Sequence, residues 1–368
     1  MRLLLLILVM LAGTLVAGEP TAYPLWDGSE SVAEYAKKIN LPPTKTLELG
    51  NNVKLELVLI PAGKFVMGTP EPTPVDEDGF QKRIVTGQAL LAASAGALLV
   101  MLVVVIIRAI RKRQTPKYSL LWLLAITITA GGCVLSGLHW RESVKTLAKV
   151  REDFITAKAR FDAANKDEKP AHQVTLTQPF YMGKYDVTQE QYQAVMGSNP
   201  SQNKGKDNPV EMVSWDEAQD FCKRLTALTT QTVRLPTEAE WEFACRAGTT
   251  TMYYSGDSEN DLNRVAWYSG NSNGTTQPVG QREANAFGLY DMHGNVWQWC
   301  EDWWDDSAYS KSPTENSVGP THYACHVMRG NFWGTGAMEC RSAHRNLAVS
   351  PSSALGFRVV VVLAFRTQ

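Results

Sequence analysis

The sequence has no excess of charge of either sign. Its 368 residues include 36 Lys or Arg and 37 Asp or Glu, and the formal net charge is −1. A protein that binds nucleic acid through its phosphates carries a concentrated basic surface. The charge balance therefore argues against a nucleic-acid partner, and we expect none.

Histidine is also scarce. The chain has six, and only His322 and His326 stand four residues apart, the spacing that places two rings on one side of a helix. The preceding residues 312–321 have the composition of a loop, so we interpret the pair as surface histidines. A metal cluster of His322, Cys325 and His326 is the alternative.

Aromatic residues, by contrast, are plentiful. Most of the eleven Trp and twelve Tyr lie between Tyr181 and Trp333. Because large rings bury much apolar area each, this pattern indicates a fold held together by aromatic packing and loops more than by long helices. We place the functional unit in this part of the chain.

The N-terminus has the pattern of an export signal. One basic residue, Arg2, precedes an uncharged Leu-rich run, and small residues follow at 16–18. This pattern predicts a signal peptide over residues 1–18, with an uncleaved N-terminal anchor as the alternative. We assign residues 19–46 to an N-terminal extension.

Two charge-free stretches, 87–107 and 119–139, have twenty-one residues each. A helix needs about 20 apolar residues to cross a bilayer, so we predict transmembrane helices over both. The loop 108–118 between them carries five Lys or Arg and is expected in the cytoplasm, because basic loops stay inside. This hairpin would hold the protein in the cell membrane, with both flanks on the extracytoplasmic side, periplasmic or extracellular.

Two alternatives to this topology stay open. One is a buried hairpin inside a soluble protein; the other is a cytoplasmic orientation, because Lys82 and Arg83 before the first span weaken the charge asymmetry. After the hairpin, residues 141–167 are charged and rich in Ala, with apolar residues at alternating three- and four-residue steps. That spacing predicts a helical stalk.

Local signals on both sides of the hairpin predict short strands and helices. Residues 53–60 and 64–67 before it, and 173–182 after it, have the β-branched and alternating patterns of strands. Ser214 and Thr237 each precede a Glu three residues later, which is the capping box that opens a helix. These signals predict short elements rather than long ones.

Six stretches of the sequence together resemble one family. They are Ile60–Gly68, Tyr181–Thr188, Pro209–Trp215, Arg234–Glu242, Phe287–Trp299 and Leu355–Arg358. In this order they resemble the sulfatase-modifying-factor family, also called formylglycine-generating-enzyme-like, over residues 47–79 and 168–363. The resemblance implies an α+β, C-type-lectin-like fold with little regular secondary structure. It also implies that the first strands rejoin the later ones, so that the hairpin is an insertion in one domain.

The resemblance also points to a catalytic centre whose ligands this sequence lacks. Formylglycine-generating members carry a copper-binding cysteine pair after an Arg-Gly-Gly-Ser motif. Here Phe332 takes the serine position, Thr335 takes the first cysteine position, and no cysteine matches the second. Because thiolates are the soft ligands that select copper(I), we do not expect copper. The His-x3-His-x-Glu spacing of iron-binding relatives is absent too, so we do not expect iron and assign no catalytic residue.

The resemblance further implies a calcium loop. Asp291, Gly294, Val296 and Gln298 stand at the family's ligand positions, and oxygen ligands of this kind suit calcium. Gln298 replaces a charged ligand, so we expect weaker affinity. The alternative is that tryptophan packing alone holds the turn.

Six cysteines in an exported protein suggest disulfides. By the resemblance, Cys245 stands at a disulfide position whose partner would be Ser342, and Cys222 at one whose partner would be Val359. Cys340 lies two residues before Ser342, on the same face if that stretch is a strand, so we predict a Cys245–Cys340 disulfide. A reactive thiol at Cys340 is the alternative, and Cys222 is predicted as a small buried hydrophobe.

These observations favour two functions. The first is a binding or scaffolding module: a membrane-anchored, outward-facing domain that lacks the copper-binding cysteines, holds a protein, peptide or glycan partner, and takes calcium if it takes a cofactor. The second is an oxidoreductase of the formylglycine-generating type that acts on protein cysteine with non-standard ligands. Whether the chain is an enzyme stays open at this point. The acidic, aromatic run 301–306 is predicted as a solvated turn, with an acidic cleft as the alternative.

Overall fold

The computed structural model of the protein describes residues 23–70, 165–320 and 323–363. The predicted signal peptide or anchor, both predicted spans with their basic loop, and all but the last three residues of the predicted stalk lie outside these ranges. Within them, no helix is both long enough and apolar enough to cross a membrane.

The described residues form many short elements. The helices are α1 Val32–Lys38, α2 Gln189–Met196, α3 Trp215–Thr229, α4 Glu238–Arg246, α5 Glu259–Val265 and α6 Ala308–Lys311, with 3₁₀ turns at Lys166–Glu168 and Ala337–Glu339. The strands are β1 Thr44–Glu48, β2 Lys54–Ile60, β3 Gly63–Met67, β4 His172–Leu176, β5 Phe180–Gly183, β6 Val233–Arg234, β7 Ala266–Trp267, β8 His293–Gly294, β9 Trp297–Trp303, β10 His326–Arg329, β11 Arg345–Ala348, β12 Leu355–Gly356 and β13 Val360–Val362. The longest of these helices has 15 residues, which agrees with the expected mixed α and β fold of short elements.

Two sheets organise the fold. The first has the strand order β1-β2-β5-β13-β6, and the second has the order β11-β10-β9-β12. Strand β2 becomes apolar on both faces after Glu56, and its last four residues are buried, as expected for a strand covered on both sides. It pairs antiparallel with β5, with Leu59 opposite Tyr181. Strands from before and after residues 71–164 therefore share one sheet.

The chain enters and leaves the segment 71–164 at one place. Strand β3 pairs antiparallel with β4, with Met67 opposite His172. Just beyond this pair, the Thr69 amide donates a hydrogen bond of 3.1 Å to the Glu168 carbonyl oxygen. The segment is therefore inserted between two neighbouring strand ends of one folded unit.

Capping boxes start the helices where the sequence indicates. The Ser214 hydroxyl accepts from the Glu217 amide and starts α3, and the pair Thr237 and Glu240 does the same for α4. Helix α3 buries Ala218, Phe221, Cys222 and Leu225 in the core beside the first sheet. Helix α4 is buried on all sides, and it packs against β3, β9 and β10. This position places α4 behind the second sheet, where the candidate site lies.

Candidate functional site

The loop between β10 and β11 carries the positions at which the resemblance would place a catalytic centre. We call residues 330–344 the site loop. Asn331 at its start is buried and has φ of 67°, a left-handed conformation that Asn tolerates better than most residues. Its side-chain oxygen accepts from the Phe332 amide at 2.8 Å and from the Thr335 hydroxyl at 2.5 Å. The Thr335 hydroxyl is thus used to hold the loop in shape.

The outer side of the site loop is apolar. Phe332 and Trp333 are half-buried and meet edge to face, with ring centroids 5.4 Å apart. The Trp333 indole donates to the Ser353 carbonyl at 3.3 Å, and Met338 is 39% exposed. The loop therefore presents rings and a thioether to solvent.

The thiols near the loop are buried and protonated. Cys245 and Cys340 are fully buried, and burial raises the pKa of each to about 12. Since the thiolate is the form that binds metal or attacks a substrate, neither residue is poised for such chemistry. This geometry disfavours the alternative of a reactive thiol at Cys340.

His293 lies beside Cys245 but does not activate it. The Cys245 Sγ is 3.8 Å from Nε2 of His293, and the same Nε2 accepts a hydrogen bond from the Tyr254 amide at 3.1 Å. The proton of the neutral ring is therefore on Nδ1. Burial lowers the pKa of His293 to about 3, so the ring stays neutral at physiological pH. A thiolate–imidazolium pair of the kind that catalytic cysteines need does not form.

The predicted Cys245–Cys340 disulfide is wrong, because both thiols are free. The prediction assumed that residues 340–342 form a strand, whereas Cys340 ends a 3₁₀ turn and its Sγ contacts the Gly336 carbonyl at 3.6 Å. The Cys245 thiol instead lies 3.9 Å from the Met292 carbonyl oxygen and 3.8 Å from Nε2 of His293. Cys222 is buried on α3 in the core beside the first sheet, as predicted.

The residues of the predicted calcium loop only partly fit a cation. Asp291 is buried with φ of 56°; its Oδ2 accepts from the Gly280 amide at 2.8 Å, and its Oδ1 has no partner. That free oxygen suits a cation. Gln298 does not, because its side-chain oxygen accepts from Trp241 Nε1 and from Arg358 Nε, each at 2.6 Å.

Within residues 23–70, 165–320 and 323–363, no group of three or more His, Cys, Asp or Glu side chains is arranged to hold a metal.

The interpretation of His326 as a surface residue is wrong, since it is 7% exposed. Its ring lies between the indoles of Trp215 and Trp303, with centroids 3.7 and 3.8 Å away. His322 lies outside the described residues.

The run 301–306 begins in a strand rather than in a turn, because β9 extends to Trp303. Asp302 is buried and accepts from the Glu238 amide at 2.7 Å and the Gly319 amide at 2.6 Å. Burial and the nearby charge of Glu238 raise its pKa to about 7. A cavity of about 230 Å³ lies here, with Glu238, Asp302, Asp305 and Tyr309 in its wall. The acidic-cleft alternative is thus closer to the structure than the solvated turn.

A buried ion-pair cluster connects the site loop to the point of insertion. Arg341 donates to both carboxylate oxygens of Glu168, at 2.6 and 2.7 Å, and also to Asn165 and Thr69. Burial alone would raise the pKa of Glu168, but hydrogen bonds from His344 and Arg341 outweigh it and hold the pKa well below its usual range. We call Thr69, Asn165, Glu168 and Arg341 the neck clamp.

Sequence reasoning missed the neck clamp and a second cluster behind the site loop. There Arg345 pairs with Glu238 at 2.7 Å, and Arg329 pairs with Glu242. The charged residues were visible in the motifs around 234–242 and 329–345, and an arginine or glutamate inside an otherwise buried motif is a signal for such a pair. Which arginine meets which glutamate depends on the tertiary fold.

Comparison with known proteins decides the family. Residues 142–363 match the family described as sulfatase-modifying factor enzyme 1-like domain. The chain belongs to this family. It is 32% identical over 232 residues to the chaperone protein LppX of Paenibacillus barcinonensis, an alignment that covers 50% of this chain and 81% of LppX. Over 170 residues it is 35% identical to the formylglycine-generating enzyme of Streptomyces coelicolor, which covers 41% of this chain and 52% of that enzyme.

Other similar proteins differ in length and name. The chain is 31% identical over 223 residues to the serine/threonine-protein kinase pkn1 of Chlamydia caviae, but it covers only 34% of that protein's length. Among solved structures, Treponema denticola variable protein 1 matches with a TM-score of 0.50 and 30% identity, over 52% of this chain and 87% of that one. PvdO from Pseudomonas aeruginosa matches with a TM-score of 0.56 and 24% identity, over 87% of this chain and 99% of PvdO. The likeness to PvdO shows the fold alone.

Proposed function

We propose that this chain is a binding module of the family, in which an apolar surface replaces the oxidase centre. The observation that carries the proposal is the hydrogen bond made by the Thr335 hydroxyl. This hydroxyl stands at the position of the first copper-binding cysteine and is bound to Asn331 inside the site loop. A hydroxyl supplies no soft ligand for copper(I).

The other thiols supply no substitute pair in the part of the chain that the structure describes. Cys222, Cys245, Cys300 and Cys340 are buried, and burial raises the pKa of each well above its usual value. Cys325 alone among these cysteines is partly exposed. A copper(I) site of the family type needs two thiolates, so one accessible thiol does not rebuild it.

A polypeptide is the partner that suits the site loop best. Phe332, Trp333 and Met338 form a partly exposed apolar surface, and aromatic residues and Met are enriched where proteins bind one another. The relative LppX is named a chaperone protein, which fits an activity that acts on other proteins. We therefore favour a protein or peptide partner over a glycan.

We further propose that the inserted segment anchors this binding domain to the cell membrane, with the domain on the extracytoplasmic side. The support is the sequence of the two charge-free stretches together with the geometry of the insertion. Because the chain leaves after Thr69 and returns by Glu168 next to it, two crossings would bring both flanks back to the same side. The neck clamp would then hold the site loop close to the anchor.

The alternative function, oxidation of protein cysteine, makes the opposite prediction for metal content. We expect the purified full chain to contain no stoichiometric copper or iron in elemental analysis, because the ligands for both are missing. We also expect no oxygen uptake with a Cys-x-Pro-x-Arg peptide. The formylglycine-generating enzyme of Streptomyces coelicolor, loaded with copper, serves as the positive control. Bound redox metal together with peptide turnover would replace the binding module with an oxidoreductase.

The proposed topology is tested by labelling with a membrane-impermeant maleimide in intact cells. In a Cys325→Ser background, Val349→Cys should react, because Val349 is 78% exposed and the domain is expected outside. Gln114→Cys, in the basic loop between the predicted spans, is the matched control and should react only after lysis. The reverse pattern would show that the domain faces the cytoplasm.

A further inference from the structure

Gln298 is the residue that departs from the ligand set expected of the calcium loop, and its surroundings fix its amide group. The side chain lies on β9, is fully buried, and makes three hydrogen bonds. Its oxygen accepts from Trp241 Nε1 and Arg358 Nε, and its nitrogen donates to the main-chain carbonyl of Asp291 at 3.0 Å. Both lone pairs of the oxygen are therefore in use.

The two donors also determine which way the amide points. Trp241 Nε1 and Arg358 Nε can only donate, so the oxygen of Gln298 must face them. The reversed amide would place its NH₂ against two N–H groups and its oxygen against the Asp291 carbonyl. The bond from the amide nitrogen to Asp291 is therefore required by the network.

A glutamate at position 298 would have no N–H group to donate to the Asp291 carbonyl. One carboxylate oxygen would still accept from Trp241 and Arg358, but the other would lie about where the amide nitrogen is now, some 3 Å from the Asp291 carbonyl oxygen. Two acceptors at this distance repel unless a proton or a cation lies between them. The amide hydrogen of Gln298 removes that need.

The residues around the amide leave little space beside it. A Cβ at Gly330 would lie 3.2 Å from Nε2 of Gln298 and 3.1 Å from the Trp241 ring, and Gly330 has φ of 89°. Arg358, which donates to Gln298, also donates to the Gly183 and Tyr290 carbonyls and to Asp186. The positive charge beside the Gln298 amide is therefore the guanidinium of Arg358.

We propose that the Gln298 amide does in this chain what a calcium ion does in relatives with a charged residue at this position: it links the side chain at 298 to the turn at Asp291. The turn is then held without metal. Asp291 keeps one free oxygen, but without Gln298 the expected ligand set loses its second side chain. This inference concerns the metal alone and stands whether or not the chain is a binding module.

The test compares the melting temperature of the purified full chain in a chelator and in calcium at about 5 mM, above the range of weak extracellular sites. For the wild type we expect a difference below about 1 °C. Gln298→Glu should melt roughly 3–10 °C lower in the chelator, because two acceptors then face each other, and calcium, but not magnesium, should restore it.

Three results would overturn the proposal. The first is a calcium-specific rise of several degrees in the wild type that disappears in Asp291→Ala. The second is stoichiometric calcium in the wild type after dialysis, which needs no variant and so applies even if Gln298→Glu fails to fold. The third is a folded Gln298→Glu that calcium does not stabilise, because the amide would then not stand in place of a cation.

Discussion

Glu168→Gln is expected to destabilise the protein by about 3–5 kcal/mol at neutral pH. The substitution keeps the shape of the side chain but removes the charge that meets Arg341, which is only 5% exposed. A buried guanidinium without its carboxylate loses its electrostatic partner and cannot regain water. Urea denaturation followed by tryptophan fluorescence would measure the loss.

Glu56→Gln is the matched control for this substitution. Glu56 pairs with Lys184 at 2.9 Å, but its side chain is 53% exposed, and exposed pairs contribute less than about 1 kcal/mol. If Glu168→Gln costs no more than this control, the neck clamp does not hold the insertion point together.

The pH dependence of the effect follows from the direction of the pKa shift. The pKa of Glu168 in the folded protein lies well below its ordinary value of 4.5, so the native state favours the ionised form. The stability that Glu168 contributes is present above pH 4.5 and is lost as the pH falls towards the folded pKa. The difference between wild type and Glu168→Gln should therefore shrink below pH 4.

The neck clamp is the link between the two proposed parts of the protein. Thr69 and Glu168 lie at the two ends of the inserted segment, and Arg341 belongs to the site loop. A partner bound at Phe332 and Trp333 would thus lie on the same loop that is tied to the proposed anchor. This arrangement fits a module that holds its partner near the membrane.

Local signals in the sequence predicted the elements of the fold well. The strand predicted over 53–60 is β2, and the boxes at Ser214 and Thr237 start α3 and α4. These features depend on residues within a few positions of each other. The same signal occurs at Ser31, whose box with Glu34 starts α1, inside the segment predicted as an N-terminal extension. Strand β1 begins there too, at Thr44.

The site was harder to predict because its contacts join distant parts of the chain. Arg341 and Glu168 are 173 positions apart, and Gln298 and Arg358 are 60 apart. A motif shows that Gln298 stands at a ligand position, but only the fold shows that Arg358 and Trp241 use its oxygen. The prediction of a disulfide at Cys340 failed for a similar reason. It depended on a strand there, and the structure has a 3₁₀ turn that ends at Cys340.

Ser342→Cys is expected to create the disulfide that the wild type lacks. Ser342 is fully buried, its hydroxyl has no hydrogen-bond partner, and it lies near enough to the thiol of Cys245 to influence the pKa of that thiol, so a second thiol at this position breaks no hydrogen bond. A disulfide that closes a loop of about 100 residues stabilises a protein by at most about 4–5 kcal/mol, mainly by restricting the unfolded chain. Non-reducing peptide mapping should find Cys245 joined to residue 342, and a reductant should lower the melting temperature of this variant by roughly 5–10 °C. Ser342→Ala, which cannot form the bond, is the control and should show no response to reductant. A bond from Cys245 to Cys340 in the wild type, or none in the variant after oxidation, would contradict the placement of Ser342 beside Cys245.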